Sequence, residues 1–487
     1  MRTLIALLVG LPALSMAQQI AIGNYPLPAY SYPEGIAAGP DGALWFADLT
    51  GSIGRITTAG FTSTYVVPTP NASPEYITAG PDGALWFTEL HAGQIGRINT
   101  AGVMTEYPAL TSPLGITTGP DGALWFTGFT GNNIGRITTS GVVTLYSVPT
   151  PFSTPALIAP GPDGALWFTE ADADQIGRIT TAGVITEYPL PTGSAGPFGI
   201  TLGPDRALWF TEDVPNKVGR ISTAGAITEY PLSQPGYPTS ITTGPDGALW
   251  CNGEYTIARI TTAGAVTEYQ LPLPAASAKP GPNAIAVGPD GELWITEAHI
   301  GGDVLNDVAE AVFVTANLSV SPASDFYGSK LTFTGSGFAR NETVQIYIRG
   351  VGSPVIASAM ANASGAFIVS AREPQSPFGP RLFLGAGQSS GLLGAASFNV
   401  TPRLILNPTS GPPGSPVTAQ GYGFGAGEPV DVYWNSVGTL LGSTSADVNG
   451  AFSSALTVPA GAAPGRDKIF ASGQGTGAEA SKAFTVQ

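Results

Sequence analysis

Five acidic residues recur at one place in this 487-residue chain: Asp48, Glu89, Glu170, Glu212 and Glu297 each stand three residues after a tryptophan. Carboxylates repeated at one point of a repeating fold would lie around one face, and rings rich in oxygen hold hard cations such as Ca²⁺ or Mg²⁺. The plainer expectation is that each carboxylate answers a backbone N–H or a water at its own strand end, with duplication alone repeating it. The chain's two histidines, His91 and His299, lie five residues after a tryptophan, which places them in loops and away from any innermost strand. A general base has to sit within hydrogen-bond reach of the proton it removes. No nucleophile–base pair, phosphate-binding loop, zinc spacing or EF-hand loop occurs, because the Asp-Gly turns lack the further ligands.

The elements that would position these groups follow from a repeat. Trp45, Trp86, Trp125, Trp167, Trp209, Trp250 and Trp294 are spaced by 41, 39, 42, 42, 41 and 44 residues, a period that means blades or solenoid turns. Each lies in a variant of Gly-Pro-Asp-Gly-Ala-Leu-Trp-Phe, first at 39–46. Asp-Gly between two apolar runs is a tight hairpin signal, since glycine accepts the positive φ of such a turn. A second hairpin follows in each unit, as in residues 94–107. A two-residue loop at Ala101-Gly102 would set Arg97 opposite Glu106, and likewise Arg178 opposite Glu187, Arg220 opposite Glu229 and Arg259 opposite Glu268, with Arg55 facing Thr64 and Arg136 facing Leu145. Four short strands per unit, one tryptophan each and no helical period predict an all-β chain with a seven-bladed β-propeller.

Residues 1–17 read as a secretory signal peptide: Arg2, a short apolar run, and Ser15-Met16-Ala17 before Gln18. That run is too short to span a bilayer, no cysteine near residue 17 could carry a lipid, and no apolar C-terminal tail is present. The expectation is a secreted protein, extracellular or periplasmic. The stray Tyr-Pro-Leu-Pro at 25–28 matches the end of a unit and predicts a strand that closes the ring from the N-terminus, with 303–308 supplying a third strand to the last blade. The propeller is therefore placed at 20–312. Beyond it the period changes to about 86: Gly335-Ser336-Gly337-Phe338 returns as Gly421-Tyr422-Gly423-Phe424, and Phe398-Asn399-Val400 as Phe484-Thr485-Val486. Alternating short strands predict two tandem Ig-like β-sandwiches at 314–400 and 401–487. A net charge of −15 leaves no basic patch for nucleic acid. The single Cys251 stands where other units have Phe or Ile and reads as a small buried apolar side chain.

The units Gly-Pro-Asp-Gly-Ala-Leu-Trp-Phe-Thr-Glu, Ile-Gly-Arg-Ile-Thr-Thr-Ala-Gly and Ile-Thr-Glu-Tyr-Pro-Leu-Pro resemble the streptogramin B lyase (virginiamycin B lyase) family of seven-bladed propellers, and 406–424 resembles the opening of IPT/TIG-type immunoglobulin-like domains, which usually space, present or adhere. The first resemblance implies a carbon–oxygen lyase that opens a cyclic depsipeptide with Mg²⁺ and a histidine base. It places the histidines directly after proline on the strands facing the central opening, with acidic metal ligands beside them and shortly after Trp-Phe. The matching positions here are Glu34, Glu75, Leu114, Ala156, Phe198, Thr239 and Asn283, none of them histidine. Gly281 stands where the family has an acidic residue, and Glu297 matches the second metal-ligand position approximately. Two functions follow as expectations. The first is a non-catalytic binding or scaffold protein, needing no cofactor, that takes a small-molecule, peptide or glycan ligand at Glu34, Glu75, Thr239 and Asn283, with the C-terminal modules as a spacer. The alternative is a Mg²⁺-dependent lyase whose base has moved to Glu34 or Glu75.

Overall fold

The computed structural model describes residues 19–27, 31–58, 60–234, 236–271, 279–300, 307–348, 354–374, 376–435 and 439–487; the expected signal peptide at 1–17 lies outside them. Every regular element among the described residues is a β-strand, and no helix is long and apolar enough to cross a membrane. The first blade takes its four strands in chain order, Pro33–Ala38, Ala43–Asp48, Ser52–Thr57 and Thr62–Val66. Five further four-stranded sheets repeat this order. In the seventh, Lys279–Val287, Leu293–Ile300 and Asp307–Val314 are joined by Gln19–Pro26, which pairs antiparallel from Gln19↔Val314 to Pro26↔Asp307. The N-terminal strand thus closes a seven-bladed ring and removes its open edges. The described part of the third strand opens at Asp307, opposite Glu297, and runs to Val314; residues 303–306 of the expected 303–308 lie outside the described residues.

A belt of side chains builds the first six blades in one way; in the seventh Trp294 keeps its aspartate, Asp290, at 3.2 Å, but Glu310 stands opposite it in place of the arginine. In the first, Trp45 Nε1 donates to Asp41 Oδ1 at 3.0 Å and Arg55 Nε donates to Asp41 Oδ2 at 2.7 Å. The guanidinium lies 5.8 Å from the Trp45 ring, within cation–π range. Tyr65 stacks on Trp45 with centroids 5.5 Å apart, and Gly102 of the second blade, at φ +85, leaves room for that tyrosine where a Cβ would come within 2.4 Å of its ring. Burial pushes the Asp41 carboxyl up, but the hydrogen bonds from Trp45 and Arg55 outweigh it and hold the group below its usual range. The closing strand supplies the seventh tyrosine, Tyr25, stacked 5.4 Å from Trp294.

The expected Arg–Glu pairs are not formed. Arg97 opposes Thr105, and Glu106 opposes Gly96; the same offset gives Gly177↔Glu187, Gly219↔Glu229 and Ala258↔Glu268, and sets Arg55 opposite Ser63 and Arg136 opposite Thr144. The reason is the turn. Asn99 N donates to Val103 O at 3.1 Å and Gly102 N to Asn99 O at 2.9 Å, so the loop has three residues ending in a left-handed glycine and the register shifts by one. Each arginine goes to the aspartate of its own first turn, and Glu106 reaches the preceding blade, accepting from Thr69 N at 3.0 Å and Thr69 Oγ1 at 2.8 Å.

Blade interiors pair a phenylalanine with a glycine. A Cβ on Gly96 would lie 2.1 Å from the Phe87 ring. In the sixth blade this pair becomes Cys251 opposite Ala258, where the smaller thiol makes room for the added methyl. Cys251 is fully buried, and burial pushes its thiol up to about 12.

Beyond the ring the chain forms two modules, each with a three-stranded and a five-stranded sheet. Their cores repeat: Phe338 packs on Phe367 at 5.4 Å, and Phe424 on Phe452 at 5.1 Å. The first module sits on the closing strand. Thr315 and Ala316 N donate to Leu393 O at 2.8 Å, and Val312 packs with Leu382 and Leu384. The second module sits on the first, through Phe378 N to Phe424 O at 2.9 Å and Tyr327 stacked on Tyr422 at 4.9 Å.

Candidate functional site at the channel rim

The first strand of each blade is the innermost, and a ring of hydroxyls fixes its opening residues. Thr88 Oγ1 accepts from Tyr76 N at 3.1 Å and donates to Leu114 O of the next blade at 2.7 Å. Thr127 does the same between Gly115 N and Ala156 O, at 2.9 and 2.6 Å. Thr169 reaches Phe198 O and Thr296 reaches Glu34 O, each at 2.7 Å. In the sixth blade Asn252 replaces the threonine, accepting from Thr239 N at 2.9 Å and Ser240 N at 2.7 Å, and donating to Pro282 O at 2.6 Å. The residue after the proline is therefore held by its backbone in six blades while its side chain varies; in the second, Glu75 follows a first blade whose Ala47 offers no hydroxyl.

Four of the variable side chains meet on one arc. Asn283 Nδ2 donates to Pro33 O at 2.9 Å and to Glu34 Oε1 at 3.2 Å. Thr239 Oγ1 donates to Asn283 O at 3.4 Å and accepts from Asn252 Nδ2 at 2.9 Å. Glu75, in the second blade, accepts from Ser73 Oγ at 3.4 Å. Burial and then the charge of Glu75 push the Glu34 carboxyl up to about 8, and burial pushes Glu75 up to about 7. Desolvation and both carboxylates raise the Tyr76 phenol, and burial with Glu34 raises that of Tyr32. The other arc is apolar: Leu114 and Ala156 are buried and Phe198 is half-buried. The rim thus presents two carboxyl groups that titrate near neutrality, an amide and a hydroxyl on one side, and hydrocarbon on the other. Tyr32, Tyr76, Asn252 and the threonine ring went unread in the sequence, although a threonine two residues after most of the tryptophans was a visible signal.

The remaining candidates lie elsewhere. Glu297, opposite Pro282, is buried and stands against Asp307 inside its own blade. Asn24 Nδ2 donates to Asp307 Oδ2 at 2.8 Å and to Glu297 Oε2 at 3.5 Å; burial and then Asp307 push Glu297 well above the usual carboxylate range. Among the described residues no three His, Cys, Asp or Glu side chains converge to hold a metal, and Gly281 offers no donor side chain. The residues present do not fit the Mg²⁺ that the resemblance implies. His91 is exposed in a turn, as expected, whereas His299 lies on the strand Leu293–Ile300, opposite Pro280. The strand continues past the expected loop because the inner strand Lys279–Val287 is itself longer than its counterparts. Neither histidine is on the innermost strand of its blade, as expected.

The post-tryptophan carboxylates divide. Asp48 meets the expectation, accepting from Tyr32 N and Thr50 N at 3.0 Å and Thr50 Oγ1 at 2.7 Å. Glu89, Glu170 and Glu212 do not: all three are fully buried, and their carboxylate oxygens accept no hydrogen bond. A glutamate carries its oxygens one methylene farther than Asp48, past the backbone donors of the strand end.

Seven four-stranded blades closed by the N-terminal strand, with their variation gathered at the channel rim, define a seven-bladed β-propeller protein. The profile of the Virginiamycin B lyase family matches residues 15–152 and 109–306, and the chain belongs to that family. Among solved structures, a streptogramin B lyase is 37% identical with a TM-score of 0.55, covering 60% of this chain and 98% of its own. A catalytically inactive histidine-to-alanine variant of virginiamycin B lyase from Staphylococcus aureus with quinupristin is also 37% identical, with a TM-score of 0.56, covering 61% of this chain and 100% of its own. No curated protein matches the chain.

Proposed function

We propose that this chain is an exported, non-catalytic binding member of its family. Its ligand, a cyclic peptide or a compound of similar size, sits across the channel rim, with polar groups toward Glu34, Glu75, Thr239 and Asn283 and hydrocarbon toward Leu114 and Phe198. The C-terminal modules are Ig-like spacers that hold the propeller at a distance from whatever they contact. The carrying observation is that all seven post-proline positions lack histidine, while the relative solved with quinupristin is described as inactive after a single histidine-to-alanine change. Fold alone does not carry activity; the site does.

One observation favours a second reading. Glu34 and Glu75 titrate at about 8 and 7, near where a general base works best, and a lyase with a carboxylate base would use one of them. Calorimetric titration of the protein with quinupristin tests the first reading. Binding that is lost in E34Q/E75Q and weakened in F198A supports it; equal binding by all variants, or none by the wild type or any other cyclic depsipeptide or glycan tried, contradicts it.

A further inference from the structure

Blades two, four and five share a constellation that the rim does not use: a threonine from the preceding blade, the glutamate three residues after tryptophan, the residue paired with that glutamate, and a glutamate of the outer strand. In the fifth blade these are Thr192, Glu212, Lys217 and Glu229. Lys217 is paired with Glu212, and its Nζ donates to Thr192 Oγ1 and to Glu229 Oε2, both at 2.8 Å. The ammonium thus bonds the outer carboxylate and a hydroxyl, while the buried Glu212 carboxylate acts on it by charge alone.

The second and fourth blades keep the oxygens and lose the cation. Gln94 and Gln175 are paired with Glu89 and Glu170. Thr69 N and Oγ1 donate to Glu106 at 3.0 and 2.8 Å, and Thr150 N and Oγ1 to Glu187 at 2.9 and 3.0 Å. The glutamine amides lie at the same threonines, Gln94 Nε2 3.4 Å from Thr69 Oγ1 and Gln175 Oε1 3.5 Å from Thr150 Oγ1. Glu89 and Glu170 are fully buried and no N–H or hydroxyl among the described residues donates to them; the Glu106 carboxyl stands at hydrogen-bond range of Glu89, and the Glu187 charge acts on Glu170. The Ser153 hydroxyl near Glu170 donates to Asn132 Oδ1 at 3.0 Å. A buried carboxylate without a partner is costly unless a cation or a proton joins it.

We infer that the second and fourth blades each bind a hard metal cation, one between Glu89 and Glu106 and one between Glu170 and Glu187, at the place the Lys217 ammonium takes in the fifth blade. The donors are two carboxylates, the threonine hydroxyl oxygen, the glutamine Oε1 after an amide turn, and water. Two charges with neutral oxygens at an adaptable site suit Ca²⁺ better than Mg²⁺, which demands tighter octahedral geometry. The ion has a way in, because Gln94, Glu106, Gln175 and Glu187 are only half-buried.

Equilibrium dialysis of the full chain against Ca²⁺ in potassium chloride at pH 8.5 tests this. The expected stoichiometry is two ions per chain, falling to one in E89Q and to none in E89Q/E170Q. Q94K/Q175K, which copies the fifth blade and so keeps a fold the chain already tolerates, should also bind none, with its melting temperature unchanged by Ca²⁺. A wild type that binds no Ca²⁺, its carboxyl pairs sharing a proton instead, overturns the inference. So does an unchanged stoichiometry in Q94K/Q175K.

Discussion

The belt around the blades and the rim of the channel are made by the same repeats and obey opposite rules. In the belt, Trp, Asp, Arg and Tyr recur nearly unchanged, each polar group answered at 2.5–3.2 Å within its blade. At the rim the threonines and Asn252 hold the backbone in most blades, yet the side chains run through Glu, Glu, Leu, Ala, Phe, Thr and Asn. Uniformity marks what the fold needs of every blade. Variation on a fixed backbone marks where a ligand would be discriminated.

The largest effect should come from breaking the belt at its closure. A chain beginning at Ser31 loses Tyr25 and the whole pairing with Asp307–Val314, and its melting temperature should fall by more than about 10 °C; an unchanged value in a thermal scan would show that the strand is dispensable. Next, W86A removes a fully buried ring with its Asp82 and Tyr107 contacts and should cost about 3–5 kcal/mol in urea unfolding.

The rim should respond to pH as the belt does not. Glu34 titrates at about 8 in the fold and at its ordinary, lower value when unfolded, so the folded state binds the extra proton between the two. Stability at this position is therefore full below the unfolded value and lost as pH rises through the folded one. E34Q should be more stable than the wild type by about 2–4 kcal/mol at pH 9 and nearly equal to it at pH 4; the same difference at both would rule out this titration. The smallest effect sharpens the blade interior. C251F should cost about 1–3 kcal/mol through overpacking against Ala258, and C251F/A258G, which restores the phenylalanine–glycine pair of other blades, should recover most of it.

Much of the belt was legible because repetition shows its parts seven times. The tryptophan spacing and the stray Tyr-Pro-Leu-Pro were enough to place the blades and the closing strand. Register was not, since Ala101-Gly102 fits a two-residue turn as well as the end of a three-residue one, and the one-residue difference sends Arg97 to Asp82 and Glu106 to Thr69. At the rim, family likeness pointed to the post-proline positions; their gathering into one polar arc depends on which blades are neighbours across the closure. The burial of Glu89, Glu170 and Glu212 was illegible, because Asp48 occupies the same repeat position and finds its donors.

The central claim is that the rim holds a ligand without opening it. Quinupristin incubated with the protein and Mg²⁺, then separated by reversed-phase chromatography because elimination opens the ring without changing its mass, decides the matter. The expected result is that the cyclic compound is recovered intact over a period in which a streptogramin B lyase converts it fully. Turnover by the wild type that disappears in E34Q or E75Q would contradict it and make this chain a lyase with a carboxylate base.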